Sequence, residues 1–266
     1  MNRFEKLFQN SATKAFIPYV TVGDPDLATS EKIIQALIDA GADALELGFP
    51  FSDPIADGPT NQRAMARALK AGAHFDACLA LVARIREQHP NIPIGLLIYY
   101  NLLHRRGIEK AHAQLAEAGI DAIVSADLPL EESAAHEASL KKHGIGAVQM
   151  IAPNSDDDRV KALFEHSSAF TYVLSGFGTT GAKRDLGPKT LERIQHLRGL
   201  SNKPMVVGFG LSQPEHVVQV LQAGANGAII GSQFTQLIEA NLAAPAKAIN
   251  AVGALVKSVK EAMKSC

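Results

Sequence analysis

The sequence predicts an α/β chain of the (β/α)8, or TIM-barrel, class, forming a single domain over residues 1–266 with a short N-terminal helix. Three observations predict it. Eight short β-rich runs alternate with longer segments of helical periodicity along the whole chain. Three helix exits repeat one signature: Asp39-Ala-Gly41-Ala-Asp43, Glu117-Ala-Gly119-Ile-Asp121 and Gln222-Ala-Gly224-Ala-Asn226. In each, the glycine supplies a left-handed cap that ends the helix and releases the chain into the next strand. No Gly-rich nucleotide fingerprint follows the first strand, so the usual marker of an open doubly wound sheet is missing.

The elements follow in order. Met1-Asn-Arg-Phe-Glu-Lys-Leu-Phe8 is a short amphipathic segment with both charge signs, unlike a signal or transit peptide. The strands are expected at 16–20, 43–48, 94–99, 122–125, 146–151, 170–174, 205–208 and 228–230. Between them, spacings such as Ile33, Ile34, Leu37 and Ile38, or Val217, Val218, Val220 and Leu221, predict helices long enough for right-handed crossovers. No linker, charge block or low-complexity tract interrupts the alternation.

Bulk properties exclude several classes of function. Lys and Arg number 26 against 27 Asp and Glu, leaving no basic surplus for nucleic acid or an anionic membrane. No apolar run approaches the roughly 18 residues of a membrane span. The two cysteines, Cys78 inside an expected helix and Cys266, lack metal-ligand spacing and point to a reducing, cytoplasmic setting. No metal is expected. The nine histidines fall mostly in helices or their flanks, only His104 lying close after a strand. No lysine stands at a strand end where it could form a Schiff base.

In a barrel of this class the active site lies at the C-terminal ends of the strands. The second strand reads Ala44-Leu45-Glu46-Leu47-Gly48, and two-residue alternation puts Glu46 on the face opposite Leu45 and Leu47. If the leucines pack under the helices, Glu46 points into the barrel, where lost hydration raises its pKa towards a general acid/base. The alternative is a carboxylate paired with an interior cation, although no Lys or Arg lies in an expected strand. The next loop, Phe49-Pro-Phe-Ser-Asp53-Pro-Ile-Ala-Asp57-Gly-Pro-Thr60, is shaped by its prolines and glycine and can return Asp57 over the mouth. Taken singly, Asp53 and Asp57 also fit turn-forming roles. Phe51 and Ile55 add apolar surface that a ligand, a partner or a closed state would cover. Tyr19, Tyr99 and Tyr172 fall near strand ends, where core packing with a satisfied hydroxyl is the expected role of each taken alone.

Three Gly-rich turns follow the last three expected strands: Ser175-Gly-Phe-Gly178-Thr-Thr180-Gly181, Gly208-Phe209-Gly210-Leu-Ser212, and Gly231-Ser232. Any one is a common strand-to-helix turn. On consecutive strands, with helix N-termini and the Ser232 hydroxyl, they predict a phosphate cradle.

The run from Leu45 to Thr60 resembles the signature of the tryptophan synthase α-subunit family. Support comes from Phe16-Ile-Pro-Tyr-Val-Thr-Val-Gly-Asp-Pro25, Asp127-Leu-Pro-Leu-Glu-Glu132, Ala152-Pro-Asn-Ser-Asp156 and Gly208-Phe-Gly210, in the family's order over nearly the whole chain. The resemblance implies a lyase of tryptophan biosynthesis that cleaves indole-3-glycerol phosphate to indole and glyceraldehyde 3-phosphate. It makes Glu46 the acid/base and Asp57 the residue that holds the indole N–H. It implies an indole pocket of Tyr19, Leu97, Tyr99, Val124, Tyr172, Phe209 and Ile229, and a phosphate site of Gly181, Gly210, Gly231 and Ser232. Asp53, Gly178 and Thr180 become lid and partner-loop residues. No cofactor is implied in this chain, and the partner is a pyridoxal phosphate-dependent β subunit in an α2β2 heterotetramer. Gly176 and Thr179 depart from the family pattern, where a basic residue and Val are usual. Two other functions are open to the residues: a regulatory barrel that only activates a partner, and a phosphosugar epimerase with a second acid/base across the site.

Overall fold

The computed structural model describes residues 1–174, 186–208 and 210–266. Its strands are β1 (Ala15–Thr21), β2 (Leu45–Gly48), β3 (Ile94–Ile98), β4 (Ala122–Ser125), β5 (Gly146–Ile151), β6 (Phe170–Leu174), β7 (Met205–Gly208) and β8 (Gly227–Ile230). They pair in parallel and in sequence order, and β1 against β8 closes the ring with Ala15 opposite Gly227 and Pro18 opposite Ile230. The expected (β/α)8 barrel is the observed fold.

Strand alternation sorts the side chains into two cores. Phe16, Leu45, Leu47, Ile94, Leu96, Ile123, Val207 and Ile230 face outward under the helices. Ile17, Tyr19, Leu97, Val124, Val148, Tyr172, Val206 and Ile229 face inward. Every crossover helix therefore needs only one apolar stripe, and Leu27–Asp39 shows it with Ile33, Ile34 and Leu37 buried. Its N-cap Asp26 accepts from Thr29 N at 2.9 Å. The three repeated exits are as expected, with φ of 101° at Gly41, 90° at Gly119 and 117° at Gly224.

The helix Arg3–Leu7 plugs the N-terminal end of the barrel. Phe4 and Phe8 pack on Phe170 of β6 at 5.2 Å and 6.3 Å between ring centroids. Arg3 and Arg86 together bind the buried Asp121 carboxylate, each at 2.8 Å. Phe4 and Phe8 thus fill this end of the barrel, and the other end is the one the loops after the strands surround.

Five strand boundaries differ from the sequence expectation: β1 extends to Ala15 and Thr21, β8 begins at Gly227, β2 begins at Leu45 and β3 ends at Ile98. Asp43 precedes β2, because its carboxylate accepts from Phe16 N at 2.8 Å and from Lys260 Nζ at 2.6 Å. Tyr99 lies beyond β3 as N-cap of the helix Tyr100–Arg106. Tyr100 N, one of the donors a helix start leaves over, is held by Asp127 Oδ1 at 2.8 Å. Among the described residues no helix is long and apolar enough to cross a membrane.

Candidate active site

Glu46 occupies the inner face of β2, in register with Tyr19 of β1 and Gly95 of β3. It is 3 % exposed, and its Oε1 has no hydrogen-bond partner. Burial, reinforced by the nearby Asp57 charge, pushes its pKa up to about 8. An ion pair with an interior cation, the alternative open at the level of sequence, is not formed among the described residues.

Asp57 is carried to the same place by the loop after β2. A turn closes with Asp57 N donating to Pro54 O at 3.0 Å, and Pro59 then starts the helix Pro59–Lys70. The side chain is not spent on the turn. Its Oδ2 accepts from the Tyr99 hydroxyl at 2.7 Å, and its Oδ1 accepts from Asn61 Nδ2 at 3.0 Å. Burial raises the Asp57 pKa, while the hydrogen bonds from Tyr99 and Asn61 pull it back and favour the ionised form.

These carboxylates share a cleft lined by Tyr19, Leu97, Tyr172 and Ile229 on the barrel side, and by Gly210, Gly231 and Ser232 at one end. Asn61 and Leu211 complete the lining among the described residues. Tyr19 and Tyr172 fit because glycines stand beside them. A Cβ on Gly48 would overlap the Tyr19 hydroxyl, and one on Gly208 would overlap that of Tyr172. Burial, with the Asp57 charge on Tyr19 and the Glu46 charge on Tyr172, holds both phenols well above their ordinary pKa and hence protonated. At the glycine end, the helix Ser232–Glu239 opens at Gly231, presenting first-turn N–H groups that have no intrahelical acceptor.

Two residues expected in the indole pocket take other places. Val124, opposite Leu97 in the β3–β4 register, is buried in the inner core and does not line the cleft. Tyr99 acts from behind Asp57, its hydroxyl also accepting from Ala56 N at 3.0 Å. Asp53 is exposed on the rim, bonded to Ser52 Oγ at 2.5 Å. Phe51, expected to be exposed, is half-buried by stacking on Tyr99 at 5.0 Å, whereas Ile55 is 79 % exposed. Gly176, Gly178, Thr179, Thr180, Gly181 and Phe209 lie outside the described residues.

Sequence reading missed Asn61 and Leu211. Asn61 had a signal: Asp57-Gly-Pro59 reads as a helix start, which puts Asn61 in the first turn, close enough to reach back to the loop. Leu211 had none beyond its place after Gly210.

A buried carboxyl whose pKa is pushed up to about 8, beside a second carboxyl that accepts from two donors, can give a proton at one atom and orient a polar N–H at another. Relatives carry the same arrangement of chain. A family model for the tryptophan synthase alpha chain matches residues 4–264. The tryptophan synthase alpha chain of Escherichia coli (strain SMS-3-5 / SECEC) is 42 % identical over 268 aligned positions, covering all of both chains. Among solved structures, tryptophan synthase subunit alpha of Legionella pneumophila str. Paris superposes with a TM-score of 0.89 at 31 % identity over the whole of each chain. A chain of the tryptophan synthase α2β2 complex of Pyrococcus furiosus superposes at 0.86 with 34 % identity, over 93 % of this chain and 98 % of that one. Matched end to end in sequence and in backbone, this chain belongs to the tryptophan synthase alpha chain family, lyases that cleave indole-3-glycerol phosphate to indole and glyceraldehyde 3-phosphate.

Proposed function

We propose that Glu46 and Asp57 perform this cleavage as a retro-aldol reaction without a covalent intermediate. The indole ring lies among Tyr19, Leu97, Tyr172 and Ile229, and the phosphate lies at Gly210, Gly231 and the Ser232 turn. Ionised Asp57 accepts from the indole N–H and raises electron density at C3. Protonated Glu46 delivers its proton to that carbon, giving an indolenine. Glu46, now ionised, takes the proton of the side-chain hydroxyl beside the bond. The carbon–carbon bond breaks, its electrons return to the ring, and indole and the aldehyde are released. One carboxyl serves twice, which requires a pKa near the working pH.

The observation that carries this reading is the buried Glu46, its Oε1 unpartnered, in the same cleft as a doubly hydrogen-bonded Asp57. The phosphosugar epimerase and the regulatory barrel give way to the lyase. Glu46→Gln keeps the shape of the site and removes its proton. We expect substrate binding within a few-fold of wild type and turnover lowered by at least about a hundredfold. Comparable turnover in this variant would reject Glu46 as the acid/base.

The chain works with a β subunit in an α2β2 assembly, passing it indole, and holds no cofactor itself; pyridoxal phosphate belongs to the β subunit. The exposed Ile55 and the helix Tyr100–Arg106 border the mouth and form the docking side. We place the complex in the cytoplasm and read the whole chain as one barrel domain.

A further inference from the structure

The carboxylate of Asp57 is held by two donors, and the second of them is itself held. Asn61 is 3 % exposed and Thr235 is 1 % exposed, so neither amide nor hydroxyl has water as an alternative partner. Asn61 Nδ2 donates to Asp57 Oδ1 at 3.0 Å, and Thr235 Oγ1 donates to Asn61 Oδ1 at 3.1 Å. The order of donors is forced. A carboxylate and an amide oxygen only accept, so the hydroxyl must supply the proton at one end and the amide NH2 must face the carboxylate at the other. Asp57 therefore sets which way the amide points, and Thr235, by donating to the amide oxygen, holds that side chain in place. Without it, the buried amide oxygen would lose its donor and Asn61 would be held at one end only.

We infer that Asn61 and Thr235 are positioning residues for Asp57, fixing its carboxylate towards the indole N–H. This rests on the proposed role of Asp57. Thr235 lies one turn into the helix Ser232–Glu239, whose first residues form the phosphate end of the cleft. The same helix thus braces both ends of the substrate. Its far end is fixed too, Glu239 accepting from Arg67 Nη1 at 2.7 Å and from Arg63 Nη2 at 2.7 Å. Arg67 also binds the buried Asp24 carboxylate at 2.8 Å. The helices Pro59–Lys70 and Ser232–Glu239 are clamped at both ends, by charge at the rim and by the Asp57–Asn61–Thr235 chain in the cleft.

The test is a pH profile. The titratable groups facing Asp57 are Tyr19 from β1, Glu46 from β2, Tyr99 at the end of β3 and Tyr172 from β6, and none is changed by the variants. Asn61→Leu removes a donor to the ionised carboxylate, so kcat/KM at neutral pH should fall by on the order of tenfold, with its acid limb displaced to higher pH. Thr235→Val, nearly isosteric and one step further from the chemistry, should shift the limb in the same direction by less. Thr235→Ser should restore it. The fall should lie mainly in kcat, because the backbone of the phosphate turn is untouched. A folded Thr235→Val protein, judged by circular dichroism, that keeps the wild-type acid limb would overturn the inference, as would a uniform loss of kcat with the limb unmoved. Asp57→Asn separates the two levels. If it abolishes turnover while the other variants keep wild-type profiles, only the positioning chain falls; if it leaves turnover intact, the role of Asp57 falls as well.

Discussion

Glu46 and Asp57 are both carboxyl groups with raised pKa values in one cleft, yet only Asp57 has two donors that oppose the shift. Glu46 has lost water and gained no donor at Oε1, which favours the neutral acid. Asp57 has lost water but gained Tyr99 and Asn61 as donors, which favours the anion. Activity should therefore follow a bell in pH. The alkaline limb should lie near pH 8, where Glu46 gives up its proton, and the acid limb should lie above the ordinary aspartate value because Asp57 is raised. A stopped-assay profile from pH 5 to 9 checks both, roughly speaking a span wide enough for the two ionisations. A flat alkaline side would contradict the Glu46 assignment.

The same shift acts on stability, with a definite sign. The Glu46 pKa rises from 4.5 unfolded to about 8 folded, so below pH 4.5 both states carry the proton and burial exacts no ionisation penalty. Between those values the unfolded state releases its proton and the folded state keeps it, and stability drops by about 1.4 kcal/mol per pH unit until the folded carboxyl ionises. Glu46→Gln does not titrate. Its melting temperature relative to wild type should increase steadily across that window and level off above it, a trend that differential scanning calorimetry at a series of pH values would reveal or refute.

At the scale of elements, two strands end in a glycine that makes room for the site. Gly48 closes β2 against the Tyr19 hydroxyl and Gly208 closes β7 against that of Tyr172. Gly48→Ala should force Tyr19 out of its place, costing about 1–3 kcal/mol of stability and narrowing the pocket that receives the ring. Urea denaturation gives the first quantity and KM the second; an unchanged KM would show that Tyr19 does not shape the indole site. Asn61 shows how an element boundary makes chemistry. Pro59 fixes where the helix Pro59–Lys70 begins, and that start decides that Asn61, in the first turn, faces back to Asp57.

At the scale of the molecule, one end of the barrel is sealed by Phe4 and Phe8 and the other is dressed with loops. The rim of the open end carries Ile55, 79 % exposed, and the exposed Asp53 a short way along the same loop as Asp57. A β subunit docked there would act on Asp57 through only a few residues of chain. We expect weak turnover from the isolated chain, a large rise on adding β subunit, and an Asp53→Ala variant whose rise is reduced severalfold while its basal rate holds. Titrating purified β subunit into a fixed amount of each α variant and following indole release measures this. A full rate without β would mean a free-standing lyase.

The sequence by itself determined the barrel, because parallel strands and crossover helices leave a local record. Alternation placed Leu45 and Leu47 outward and Glu46 inward, and the glycines at 41, 119 and 224 marked three helix exits. It also singled out Glu46 as an inward carboxylate and the Gly-rich turns of the last strands, while the part expected of Asp57 came from the resemblance to the family. Only the tertiary structure decided what surrounds them. That Tyr99 grips Asp57 instead of lining the cleft, that Val124 lies in the core beneath it, and that Phe51 is covered by Tyr99 all depend on how side chains from different strands meet. Asn61 and Thr235 lie 174 positions apart and have no common local pattern. Their hydrogen bond exists because barrel closure sets the helices after β2 and β8 side by side, and no periodicity along the chain records a contact made by closing a ring.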